Sequence, residues 1–198
     1  VGTIIASFEN KAVSYLYYAD RIYQLPLALI GISIGIVLLP KLSKEIKKNK
    51  PQTIQEMQNK SLELSLILAI PASIGLIYLS YDIIMVLFER YLFDSSDTIE
   101  TSRVLMIFAL GLPAFVCIKI LQILFFAREN TNLPMRFALI SVISNIILSI
   151  ILFQYIGYLG IAIATTLSSW INAILLFRKS VKENFLKIST SLPRKIFK

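Results

Sequence analysis

The stretch Tyr17–Lys41 reads YYADRIYQLPLALIGISIGIVLLPK. An aspartate and an arginine stand side by side at its start, and about 14 largely apolar residues follow before Leu39-Pro40-Lys41. From Arg21 to Leu39 is about 27 Å of helix at about 1.5 Å per residue, close to a hydrocarbon core about 30 Å thick. The stretch therefore reads as a membrane span with a charged pair near one boundary. Charged side chains are costly in a bilayer and face a partner, a cavity or the headgroups. Arg21 is the leading candidate for a functional side chain, with Asp20 and Gln24 beside it.

The rest of the chain fits that reading. Of 198 residues, 56% are hydrophobic and 16% charged, and the mean hydropathy is +0.72. An average soluble domain is about 45–50% apolar and about 25% charged. The apolar residues fall in runs of about 20 separated by short polar loops, the pattern of an all-α, polytopic transmembrane bundle. Barrel strands would give shorter, alternating segments. Five spans are expected, at about 13–39, 62–88, 103–126, 134–155 and 159–177. They form a transmembrane segment over 1–178, with a basic tail or linker over 179–198. Val1 to Phe8 reads as the end of a preceding span, and the chain as a fragment of a longer protein.

The net charge of +8 is localised. Six lysines lie between Lys41 and Lys60, and seven Lys/Arg between Arg178 and Lys198. Both clusters flank spans, so positive-inside bias explains them better than binding to nucleic acid. Glu89 to Arg103 is acidic on balance, the loop at Arg128 and Arg136 is basic, and the turn at Gly157 is uncharged. Alternate loops are basic, which puts the lysine loop, the Arg128 loop and the tail in the cytoplasm and the Asp94 and Gly157 loops outside. The tail either lies on the inner leaflet surface or ends as a frayed positive flank.

Several classes of chemistry are excluded or weakened. Histidine is absent, which removes His-based acid/base catalysis, Ser-His triads and His-containing zinc sites. The one cysteine, Cys117, allows no disulfide framework. No P-loop pattern appears, so ATP hydrolysis by this segment is not expected. No cofactor and no metal site are expected, and the spans carry no dense carboxylate cluster of the kind an enzyme would need.

At 100° per residue, Tyr17, Arg21, Gln24, Ala28, Gly31 and Gly35 fall within about 80° of one another. Such a stripe lines a water-filled cavity or forms a close packing seam, and the two readings can hold at different depths. Arg21 is then either a cavity group or a snorkelling anchor in an aromatic belt with Tyr17, Tyr18 and Tyr23. Pro26 removes the hydrogen bond to the Ile22 carbonyl and can bend this end. Lys119, with Gln122 on the same face, is the second intramembrane candidate, either cavity-lining or snorkelled toward Arg128. Ser141, Ser144, Asn145 and Ser149, and Thr165, Ser168, Ser169 and Asn172, form polar stripes on the last two spans. Interhelical hydrogen bonds explain them, at about 0.6 kcal/mol each on average. Pro71 and Pro113 lie inside spans and are expected to kink them.

The segment VSYLYYADRIYQLPLALIGISIGIVLLPKLSKEI (Val13–Ile46) resembles the MurJ/MviN family of bacterial lipid II flippases. The resemblance continues through LILAIPASIGLIYLS, KILQILFFARENTNLPMRFA and SNIILSIILFQYIGYLGIAIATTLSSWINAILLF, from Ala12 to Arg178 in all. YYADR followed by LP and LLPKLS is its most specific part. The resemblance implies an exporter fold of about fourteen helices in two lobes, in the bacterial inner membrane, of which this chain is the end of the seventh helix and the eighth to twelfth. It implies a lipid-linked diphosphate as substrate, held in a central cavity by arginines from both lobes, Arg21 among them, with the other arginines in an N-terminal lobe outside this chain. A related exporter of polysaccharide-linked lipids or drugs, and an inactive split or remnant half, are the alternatives.

Overall fold

The computed structural model describes residues 2–9 and 11–186. Among these the chain is helical: α1 (Gly2–Ala6), α2 (Ala12–Leu27), a π-helical turn (Ala28–Ile32), α3 (Ser33–Lys47), α4 (Pro51–Tyr78), α5 (Ser80–Phe88), α6 (Ser95–Phe126), α7 (Asn132–Ile156) and α8 (Tyr158–Lys182). Five helical stretches are long and apolar enough to cross a membrane: Ala12–Lys47, Pro51–Tyr78, Ser95–Phe126, Asn132–Ile156 and Tyr158–Lys182.

The elements are longer than the apolar runs alone. The lysine-rich segment expected as a loop over 40–60 is almost all helix. Helix α3 continues through Pro40 to Lys47, and α4 starts at Pro51, leaving Lys48–Lys50 as the turn. Proline at the first helical position costs no hydrogen bond, because that N–H has no partner inside the helix. Lysine is a good helix former, and charge does not stop a helix once it leaves the hydrocarbon. The second expected span, 62–88, is divided at Leu79 into α4 and α5. Helix α6 begins at Ser95 rather than near Arg103. Asp94 caps it by accepting from the Asp97 N–H at 3.0 Å, and Asp97 returns the bond to the Asp94 N–H at 3.4 Å. The Ser96 hydroxyl and the Asp97 N–H hold the Asp94 carboxyl below its ordinary range. Pro71 and Pro113 lie inside continuous helices. The basic tail expected from 179 begins within α8, and residues 187–198 lie outside the described residues.

Helix α6 is the hub. Val104, Leu105, Leu112, Val116, Ile120, Leu121 and Leu124 are fully or almost fully buried. At one end they pack with α2, α5 and the start of α8 around Tyr15, Tyr23, Ile84 and Tyr158. At the other they pack with α3, α4 and the end of α8 around Leu38, Leu42, Leu62 and Leu176. Ring contacts of Tyr23 with Phe108 and Phe115, at 5.7 and 5.3 Å, fix the rotation of α2 on α6.

Helix α7 has only Pro134 and Ser149 buried, and it is held chiefly through α8. The hairpin turns on one residue, Gly157, at φ 61 and ψ −146, a region open essentially to glycine. The Glu9 carboxylate accepts from the following N–H, Tyr158, at 2.9 Å. Ser141 donates to the Ser168 carbonyl at 2.8 Å, and Asn145 donates to the Thr165 and Ser168 hydroxyls at 3.2 and 3.3 Å. The polar stripes of these spans thus do bond across the pair at those positions.

Candidate functional site

The buried face of α2 decides where its charges go. Ala12, Tyr15, Ala19, Ile22 and Tyr23 are buried, which turns Tyr17, Arg21 and Gln24 to the open side of the bundle and leaves Asp20 half-buried between the faces. Side chains one helical turn apart then meet in pairs. The Arg21 guanidinium lies over the Tyr17 ring, 4.6 Å from its centroid. Gln24 donates to the Asp20 carboxylate. No ion pair joins Asp20 to Arg21 among the described residues. The guanidinium fork therefore makes no close pair with the adjacent carboxylate and has an aromatic face beneath it.

Two adjoining hollows lie beside this face. One, of about 270 Å3, is bordered by Tyr17 and Asp20 of α2 and by Phe108, Ile161 and Thr165. The other, of about 380 Å3, lies among α6, α7 and α8. It is bordered by Lys119, Gln122, Ser141, Asn145, Ser168, Ser169 and Asn172. Gly2 and Thr165 border both. Asn172 is 7% exposed, and its Oδ1 has no hydrogen-bond partner among the described residues. The larger hollow thus offers a cation, three amides and several hydroxyls within the bundle.

The expected stripe from Tyr17 to Gly35 is not one continuous face. Tyr17, Arg21, Gln24 and Ala28 are exposed, whereas Gly31 and Gly35 are buried against α6. A Cβ on Gly31 would lie 3.4 Å from the Cβ and Cγ of Lys119, and one on Gly35 would lie 2.7 Å from Ile123 Cδ1. The π turn between the two halves is the cause. A π turn carries one residue more than an α turn, and that residue rotates everything beyond it by about 100°. The chain continues through Pro26 and takes up the irregularity in the next turn.

The same glycines set the place of Lys119. Its stem lies on Gly31, and its ammonium end is exposed beside Gln122 at the larger hollow. Gly31 is ten residues from Arg21, about 15 Å along the axis. Arg21, Asp20 and Gln24 therefore form one group, and Lys119 stands apart at another depth; the structure does not join them into a single clamp.

Sequence reasoning missed two polar clusters. Asp97 is 3% exposed, paired with Lys11 at 2.9 Å, and accepts from the Tyr15 hydroxyl at 2.8 Å. The Asp97 carboxylate raises the pKa of the Lys11 ammonium. The D-x-x-D spacing of Asp94 and Asp97 was the available signal. The second cluster centres on Arg128, which donates to the Leu124 carbonyl at 2.7 Å and lies 3.7 Å above the Phe185 ring. With its amide oxygen turned to Arg128, buried Gln58 accepts from both terminal nitrogens at 2.9 and 2.8 Å and donates to the Phe185 carbonyl. Burial lowers the Arg128 pKa, which nearby Glu183 partly offsets. Arg128 thereby ties α6, α4 and the segment after α8 together. Arg128→Ala is expected to free that segment at a cost of about 2–3 kcal/mol, since charged hydrogen bonds are each worth about 1.5–3 kcal/mol. Faster chymotryptic cleavage at Phe185, with the helix content retained, would show it; unchanged cleavage would refute it.

The family described as Lipid II flippase MurJ matches residues 1–194. A probable lipid II flippase MurJ from Rhizobium tropici is 45% identical over 195 residues, covering 98% of this chain and 37% of the relative. One from Rickettsia prowazekii is 40% identical over 192 residues, covering 97% of this chain and 38% of the relative. A solved structure of the lipid II flippase MurJ in an inward closed conformation superimposes with a TM-score of 0.82 at 36% identity, over 98% of this chain and 42% of that one. The chain thus spans less than two-fifths of the length of these curated relatives. With the matched family covering nearly every residue and the helices superimposing, the chain belongs to the MurJ lipid II flippase family, as a multi-pass segment in the bacterial inner membrane.

Proposed function

We propose that this chain forms part of a flippase that moves lipid-linked peptidoglycan precursor from the inner to the outer leaflet by alternating access, without catalysing a covalent step. The observation that carries this reading is the agreement of the whole helical arrangement with the MurJ structure, TM-score 0.82. In this reading the basic ends of the helices face the cytoplasm, and the Arg21 end lies toward the outside.

Arg21 holds the substrate's diphosphate. Its planar fork matches phosphate oxygens two at a time, which a lysine ammonium does not. The Tyr17 ring supports the guanidinium from below, and Gln24 donates to the neighbouring Asp20 carboxylate, which makes no ion pair with the fork. Lys119 and the hollow around it make a separate, deeper contact with the passing headgroup. Residues from a further lobe of the same protein supply the remaining contacts.

The test is complementation by the full-length protein that contains this segment, in cells depleted of their own flippase. Growth should be restored, and precursor should become accessible on the outer face. Precursor that stays inside despite normal protein levels would favour a related exporter with another lipid-linked cargo, or an inactive half.

A further inference from the structure

Where α3 runs beside α4, a second kind of hollow opens between them. It has a volume of about 410 Å3, and its walls are Ile34, Val37, Leu38 and Leu64. Val37 and Leu64 are 54% and 50% exposed, so the trough opens sideways, while Leu38 is buried at its floor. At its basic end stand Lys41 and Lys60, both exposed. No salt bridge takes up either ammonium among the described residues. The three-residue turn Lys48–Lys50 holds the two helices side by side. The small side chains of Ser33 and Ser61 leave the space between them open.

The dimensions and charge of this trough match one class of molecule. From Lys41 to Ser33 is eight residues, or about 12 Å of helix. A single leaflet contributes about 15 Å to a hydrocarbon core about 30 Å thick. The trough thus covers most of the depth of one acyl chain, with two cations where the headgroup would lie. Lys44, Lys47 and Lys50 add positive potential around that end, while Lys48 is paired with Glu45. A zwitterionic lipid would set its own ammonium or choline against these lysines, whereas a net anionic headgroup meets no such cost.

We propose that this trough binds an anionic phospholipid, with its phosphate between Lys41 and Lys60 and one acyl chain along Val37 and Leu64. The site is distinct from the Arg21 group and from the hollow at Lys119 and does not depend on the substrate assigned there; only the identity of its leaflet rests on the orientation proposed above.

The test titrates phosphatidylglycerol, and phosphatidylcholine of the same acyl chains, onto the purified full-length protein and counts retained lipid by native mass spectrometry. One phosphatidylglycerol should be held preferentially. Lys41→Gln with Lys60→Gln should weaken it roughly 30-fold, at about 1 kcal/mol per lysine near the headgroup. Lys44→Gln with Lys47→Gln removes the same charge off the trough and should weaken binding of that lipid only a few-fold. Val37→Trp fills the trough with both lysines intact and should also displace it. All five positions are exposed on helix surfaces, so the fold is retained, which circular dichroism checks. Equal loss in both double variants would reduce the effect to diffuse attraction. No loss in Val37→Trp, or equal retention of the two lipids, would leave only an unselective lipid shell; any of these results overturns the proposal.

Discussion

Replacing Arg21 with alanine in the full-length protein is expected to abolish rescue of flippase-depleted cells while leaving the protein in the membrane at its usual level. The side chain is exposed and its recorded contact is the Tyr17 ring, so the bundle loses little on its removal. A cation–π contact at an exposed site is worth about 0.5–1 kcal/mol. The substrate loses more. Hydrogen bonds to a charged partner are worth about 1.5–3 kcal/mol, or about 10- to 150-fold in affinity for the diphosphate. Arg21→Lys separates the two roles proposed from sequence. A lysine snorkels to the headgroups as well as an arginine does, but it cannot grip two oxygens in a fixed plane. Export should therefore remain well below normal in Arg21→Lys. Full export in the lysine variant would make Arg21 an interfacial anchor.

The second large effect is structural and lies at Gly160, where α8 crosses α7. A Cβ built there would stand 2.5 Å from the Leu152 carbonyl carbon, 2.6 Å from its oxygen and 2.8 Å from its Cβ. These are largely backbone atoms, which cannot turn aside as a side chain can. Gly160→Ala must push the two helices apart, at about 1–3 kcal/mol for overpacking, and Gly160→Val should cost more. Because α7 buries so little elsewhere, separation there loosens its main attachment. A lower melting temperature in detergent and a lower yield are the expected readouts. Gly75→Ala is the matched comparison. Nothing lies within 4 Å of its Cβ, and alanine is favoured over glycine inside a helix by about 1 kcal/mol, so this variant should melt no lower than the parent. Equal melting of the two variants would show that the α7–α8 contact tolerates an added methyl.

The number and type of the spans were legible because hydropathy and length are properties of the chain itself. The boundaries were less so. Polar residues beyond the hydrocarbon continue helices on their own propensity, which is how 40–60 became the ends of α3 and α4. The capping box at Asp94 and Asp97 marked the start of α6 in the sequence; the acidic composition of that stretch masked it. The facing of Arg21 was only half legible. A regular 100° step put it in line with Gly31 and Gly35, and no composition rule announces a π turn. The partners of Arg128 and Asp97 are distant in sequence, Gln58, Phe185 and Lys11 among them. Such pairings depend on how helices meet, and a single sequence does not record that.

The π turn at Ala28–Ile32 also has a consequence for how the span tolerates change. It splits one transmembrane segment into two halves with separate angular reference frames. The glycine half is held to α6 by close approach, and the Arg21 half by the Tyr23 rings and its own buried face. If the turn closed to regular α geometry with the inner half seated, the outer half would swing by about 100° about its axis and would have to give up the Tyr23 contacts with Phe108 and Phe115. The side chains of Tyr17, Arg21 and Gln24 would then sweep from the cleft side toward a neighbouring face together, as one rigid paddle.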